Sequence, residues 1–181
     1  IFSSSSAIYG EGKGPKSPYG LHKLISEMEC DLYQDLFDIK CVCLRYFNVY
    51  SADQEYGGSY STVVSAWMQM IEEGKSLRID GDGEQTRDFV HVGDVVSANI
   101  WCMQNTEKMD NLWYDVGYGD TCSLNDIKEV VDTYNQVEWV YAPERKGDVR
   151  HTEIGAQRLQ TTGWVPTVDL QTGLKECFTK N

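Results

Sequence analysis

The chain has 181 residues, 41% hydrophobic and 24% charged, enough for one ordinary globular domain with a sizeable core and a small subdomain. Its net charge of -12 argues against a general binder of nucleic acid or anionic membrane, because phosphates would be repelled. A small anionic ligand would need a local nest of Arg or Lys.

The apolar runs are too short to span a membrane, and no charged-then-apolar leader pattern is present. The six cysteines form no C-x-x-C pair, and Cys41 and Cys43 share one face of an extended segment. Free, mostly buried thiols in a cytoplasmic protein are the expectation.

Ile1 to Ser5 reads as the end of a buried strand, broken by the Gly-rich "YGEGKGPKSP". Pro18 stands where a helix can begin, and Leu21, Leu24, Ile25, Met28 and Leu32 then recur on one helical face. "IKCVCLRYFNVY" is strand-like, and a helical run from Thr62 to Glu73 stops at Gly74. "SLRIDGDGEQTRDFVHV" reads as extended segments around a Gly-Asp-Gly hairpin turn, with Asp94 capping the next helix. A strand in "NLWYDVGY", a helix capped by Ser123, a strand in "VEWVYAP" and two short helices follow. Strands alternating with helices predict an α/β domain with a largely parallel sheet.

A Tyr and a Lys four apart on a helix face the same side, and the ammonium favours the phenolate, giving a usable acid/base. With 11 tyrosines the pattern is weak alone, and two pairs occur: Tyr9-Lys13 and Tyr19-Lys23. The first lies among glycines and Pro15, which oppose a helix; the second opens the amphipathic one, so Tyr19-Lys23 is favoured. The serine tract supplies a neighbouring hydroxyl at a strand end. His22, His91 and His151 have no metal-ligand spacing, and "DGDGE" lacks the glycine of a calcium loop, so no metal site is expected.

"FSSSSAIYG", "SPYGLHK", "LRYFNVY", "DGDGEQTRDFVHVGDV" and "ERKGDVRHT" occur in the order found in extended short-chain dehydrogenases. The combination resembles NAD-dependent nucleotide-sugar epimerases, especially UDP-glucose and UDP-N-acetylglucosamine 4-epimerases, from Ile1 nearly to the C-terminus. The resemblance implies the C-terminal part of a Rossmann-type parallel sheet with a small α/β substrate-binding subdomain. Residues 1–50 would be the Rossmann remainder carrying Ser-Tyr-Lys, and 51–181 mostly the nucleotide-sugar part. It further implies that Ser5 binds the sugar 4-hydroxyl and Tyr19 takes its proton. Lys23 would hold the nicotinamide ribose of NAD, with Tyr46 near the nicotinamide. Asn48, Arg87 and Arg145 would hold the diphosphate and ribose, Asp148 the ribose hydroxyls, and Leu77, Arg78 and Asp80 the uracil through backbone groups. Forked guanidinium groups suit phosphate oxygens. Thr152 matches a position whose bulk limits the C2 substituent, and a small residue there favours UDP-N-acetylglucosamine. A homodimer through the Tyr-Lys helix is a further implication.

The sequence departs from that family in three places. No Gly-x-x-Gly-x-x-Gly turn follows a strand, so the dinucleotide-binding half is expected to be absent from this chain. "YGEGKGPKSPYG" is short for the loop between the catalytic Ser and Tyr, and Asp53 stands where relatives carry a cation. Three functions stay open: part of a UDP-sugar 4-epimerase, a non-catalytic nucleotide-sugar-binding module, or a reductase or dehydratase of the same fold. Ser6 and Ala7 replace the acidic pair of sugar dehydratases and disfavour that class.

Overall fold

The computed structural model describes residues 1–56, 61–145, 149–152, 155 and 158–179. β1 (Phe2–Ser5) passes through a 3-10 turn (Ser6–Ile8) to α1 (Pro18–Phe37), β2 (Cys43–Tyr46) and β3 (Asn48–Tyr50). Then come α2 (Val63–Glu72), β4 (Leu77–Asp80), β5 (Thr86–Arg87), β6 (Phe89–His91) and α3 (Val92–Gln104). β7 (Trp113–Val116), β8 (Cys122–Ser123), α4 (Leu124–Tyr134), β9 (Trp139–Ala142), β10 (His151–Thr152) and α5 (Leu170–Thr179) complete the order. Among the described residues no helix is long and apolar enough to cross a membrane.

β1, β2 and β7 form a parallel sheet with β2 central. α1 is the crossover that parallel neighbours require. β3 pairs in parallel with β6, β4 with β9, and β5 lies between parallel β10 and antiparallel β8. Two apolar cores result. Leu44, Tyr114, Val116, Ala98 and Trp164 fill one, between the first sheet and α3. Trp67, Leu77, Ile79, Ile127 and Leu174 fill the other, among α2, α4, α5 and β4. Because β7 returns to the first sheet, the chain after residue 50 contributes to both parts.

The caps follow local chemistry. Ser17 accepts from Gly20 N with Pro18 in the first turn, Thr62 accepts from Ser65 N, and Ser123 with Asp126 makes a capping box. At α3 the expectation is corrected: His91, not Asp94, is the N-cap, its ring nitrogen accepting from Gly93 N. Asp94 is buried in the first turn, where its carboxylate accepts from Thr167 N, Thr167 Oγ1 and Val168 N. It pins the segment before α5 instead of its own helix start. The Gly-Asp-Gly hairpin is also corrected, since β4 and β5 pair with strands from later in the chain and not with each other.

α1 turns its apolar face outward. Of its periodic apolar residues, Leu21, Ile25, Met28 and Leu32 are exposed and Leu24 is half-buried, while Gly20 and Glu27 are its buried positions. Periodicity identified the two faces but not which one meets the sheet. The opposite face meets the sheet through partnered polar side chains: Lys23 donates to Ser3 O, Glu27 meets Ser4 and Arg45, and Gln34 accepts from Cys41 N.

Candidate active site

Ser5 ends β1 at the carboxyl edge of the parallel sheet, where α/β folds bind ligands. Its Oγ accepts from Ala7 N at 3.2 Å, leaving its own O–H to donate. The chain then turns tightly so that Ala7 O meets α1 at Gly20. A Cβ on Gly20 would lie 2.6 Å from that oxygen, so only glycine permits this approach. The contact brings the first turn of α1 beside the serine tract. Tyr19 sits there half exposed, next to Gly20. One turn on, Lys23 Nζ lies 5.7 Å from the Tyr19 ring centroid and donates to Ser3 O at 2.7 Å. Tyr46 ends β2, its hydroxyl bonded to Ser3 Oγ and Asn99. A cation and two phenols gathered at these strand ends fit the ribose and nicotinamide end of a dinucleotide.

A cavity of about 870 Å³ opens beside them, and Ser5, Asn48, Arg87 and Thr152 line it together. Ser6, Ala7, Tyr9, Glu11, Lys16, Ser17, Arg150 and His151 also line it. Tyr19 and Lys23 are not among its lining residues; Ser17, two residues before Tyr19, is. Asn48 is fixed by donation from Nδ2 to Asp88 O at 3.0 Å, and Arg87 Nη1 donates to Thr86 O at 2.9 Å.

A second cavity of about 250 Å³ is lined by Arg78, Asp80 and Arg145 with Trp67, Phe89 and Gln85. Asn48 and Arg87 line this cavity too. Asp80 lies between two guanidinium groups, receiving Arg78 Nε at 2.6 Å and Arg145 Nε at 2.8 Å. Leu77 is wholly buried in the second core, with its N–H given to Glu138 O, and Arg78 O accepts from Trp67 Nε1. Leu77 is therefore part of the platform beneath this cavity and not of its wall. Asp148 lies outside the described residues. Arg150, Glu11 and Lys16 were not foreseen. Arg150 stood in a quoted motif, but nothing in the spacing showed that it would meet Glu11.

Tyr9, the competing partner of Lys13, is committed elsewhere. Its O–H donates to Asp115 Oδ1 at 2.6 Å and accepts from Arg45 Nη1 at 2.9 Å. Burial first, then the bond to Asp115, pushes its phenol well above the usual range. Arg45 in turn grips Glu27 through Nε at 2.9 Å and Nη2 at 2.5 Å, and lies 3.7 Å from the Trp113 ring centroid. This buried network lies under the serine tract and joins α1, β1, β2 and β7.

Asp88, next to Arg87, is fully buried and accepts from Tyr118 N at 2.7 Å and Gly119 N at 2.8 Å. Burial outweighs those two bonds and pushes its carboxyl up to about 6. The folded chain therefore holds this proton where the unfolded chain has lost it. Its stabilising effect is full below the unfolded value, roughly pH 4, and is lost as pH rises through about 6. From this group the chain is expected to be about 1 kcal/mol more stable at pH 5 than at pH 7, a difference that disappears in Asp88→Asn. Urea unfolding at the two pH values measures it, and an equal slope in the variant would remove Asp88 as the cause.

Residues 1–117 match the family model described as the NAD dependent epimerase/dehydratase family, and the chain belongs to that family. It is 31% identical to a UDP-N-acetylglucosamine 4-epimerase from Methanobrevibacter ruminantium M1, solved in complex with UDP-N-acetylmuramic acid. That match has a TM-score of 0.89, over 98% of this chain and 61% of that one. It is 35% identical to a UDP-glucose 4-epimerase from Thermotoga maritima, solved with UDP-glucose, with a TM-score of 0.85 over 99% of this chain and 61% of that one. A UDP-glucose 4-epimerase of Mycolicibacterium smegmatis is 30% identical over 88% of this chain and 51% of its own length. The chain thus spans about half to three fifths of the length of these three relatives. These findings agree with the Rossmann-type α/β architecture and the NAD-dependent enzyme family expected from the sequence.

Proposed function

We propose that the chain carries the substrate side of a UDP-sugar 4-epimerase, with UDP-N-acetylglucosamine as the favoured substrate. The observation that carries this reading is that Asn48 and Arg87 line both cavities. A nucleoside diphosphate sugar is long, with a flat base able to stack at one end, two negative charges in the middle and hydroxyls at the other. The cavity with Trp67 and Phe89 suits the base, and Arg87 and Asn48 at the junction suit the diphosphate. The cavity with Ser5 suits the sugar. Thr152, a small side chain on the wall of that cavity, leaves room for an N-acetyl group.

In this reading Ser5 donates to the sugar 4-oxygen and fixes its orientation, and Tyr19 takes the 4-hydroxyl proton as general base. Lys23 holds a ribose hydroxyl and stabilises the phenolate. NAD, when bound, supplies the acceptor for the C4 hydride and its return to the opposite face. Ser6 and Ala7 offer no acid or base for elimination, so the 4-keto sugar keeps its 6-hydroxyl. Pairing of two copies through the exposed apolar face of α1 belongs to the same reading.

The test is incubation of the chain, joined to the sequence that precedes Ile1 in the whole protein, with NAD and UDP-N-acetylglucosamine or UDP-glucose, followed by proton NMR of the sugar anomeric signals. The 4-epimer should accumulate to a fixed equilibrium ratio, with no net reduction of NAD. UDP binding without conversion by the whole protein would make this a binding module, and loss of water from the sugar would make it a dehydratase.

A further inference from the structure

Arg150 lines the first cavity, and both terminal nitrogens of its guanidinium are given to carboxylates. Nη1 and Nη2 fork onto Asp82 at 2.9 and 2.7 Å, and Nη1 also approaches Glu144 at 3.4 Å. The backbone of Arg150 does different work. Its carbonyl accepts Thr86 N at 3.0 Å, and it also accepts Arg87 Nη1 at 3.3 Å. Its N–H donates to Glu11 Oε1 at 3.0 Å, across the cavity mouth from the Gly-rich segment. The other oxygen of Glu11 takes Lys16.

Glu11 itself has φ of 60°, flanked by Gly10 and Gly12 at 48° and 76°. A non-glycine residue there persists only when its surroundings hold it. The bonds to Arg150 N and Lys16 are that hold. The segment at Arg150 is thereby fastened on one side by Asp82 and on the other by Glu11, and Arg87 rests on the carbonyl between them.

We propose that Arg150 and Glu11 are positioning residues that hold the Arg87 guanidinium at the junction of the two cavities. The inference rests on the reading of that junction as a diphosphate site. Arg150 acts through its backbone carbonyl, which helps set where Arg87 points. Glu11 contributes an acceptor, not a charge, which separates this role from that of an exposed ion pair with Lys16.

The probe is UDP, with binding measured by calorimetry on the chain, and exchange of the Arg150 amide proton followed by NMR without ligand. Glu11→Ala should speed that exchange and weaken UDP binding about tenfold, the effect of one positioning hydrogen bond. Glu11→Gln keeps the acceptor and loses the charge, so it should restore both readouts. If Glu11→Gln behaves as Glu11→Ala, or if Glu11→Ala leaves exchange or UDP binding unchanged, the positioning role is wrong. If the wild-type chain binds no UDP, the diphosphate reading is wrong and the positioning role falls with it, whereas the exchange result still decides whether Glu11 holds Arg150.

Discussion

Glu27→Ala is expected to destabilise the chain by roughly 3–5 kcal/mol, because it strands the Arg45 guanidinium inside the fold. Glu27 is 3% exposed and Arg45 6%, and the carboxylate takes two of the guanidinium's donors. Ser4 Oγ, which donates to the same carboxylate, loses its acceptor as well. The loss is a large share of the roughly 5–15 kcal/mol that holds a domain together. Glu27→Gln should lose less, since a neutral amide still offers an oxygen to Arg45. Replacing Glu27 and Arg45 together by Leu and Met should cost less than Glu27→Ala alone, as buried pairs often exchange for apolar ones at little loss. Urea unfolding followed by tryptophan fluorescence measures all three. A cost below about 1 kcal/mol for Glu27→Ala would mean that water reaches Arg45 and that the pair is not truly buried.

On the proposed reading, Tyr19→Phe in the whole protein is expected to lower kcat for 4-epimerisation by about 10²- to 10⁴-fold with little change in KM, the range for loss of a general base. Tyr19 is half exposed on the first turn of α1, so removal of its oxygen should leave the fold intact. Tyr9→Phe is the informative contrast. It deprives Asp115 and Arg45 of a shared partner inside the structure, and should lower stability more than it alters the chemistry. Steady-state assays of both variants beside their unfolding curves separate the two tyrosines. If Tyr9→Phe abolishes turnover while Tyr19→Phe turns over normally, the roles are reversed.

The parts that could be read from sequence are those governed by neighbours in the chain. Pro18 at a helix start, Thr62 and Ser123 as caps, and the stop near Gly74 each depend on a few adjacent residues. Of the expected ligands, Ser5, Asn48, Arg87 and Thr152 do meet in one cavity, though they come from four separate segments. That grouping came from motif order, since spacing alone could not have produced it. What stayed hidden depends on distant partners. Asp94 looks like a cap until Thr167 and Val168 arrive, and the Gly-Asp-Gly turn looks like a hairpin until β9 and β10 claim its flanking strands. The orientation of α1 was invisible for the same reason: Glu27 reads as a solvent residue unless Arg45 is known to lie beneath it.

The outward face of α1 also bears on how the molecule should be handled at the bench. Met28, Leu32, Leu36 and Phe37 form a greasy strip on the native surface. Environment-sensitive dyes will bind such a strip before any heating in every copy not paired through it, so dye-based melting curves of the unpaired chain start from a high baseline and blur the transition. Intrinsic emission is the better reporter, because Trp67 and Trp164 sit in separate cores and are shielded until those cores open. Detergent at low concentration, or a phenyl resin used as a purification step, will engage the same strip in unpaired copies and compete with pairing while the fold is intact.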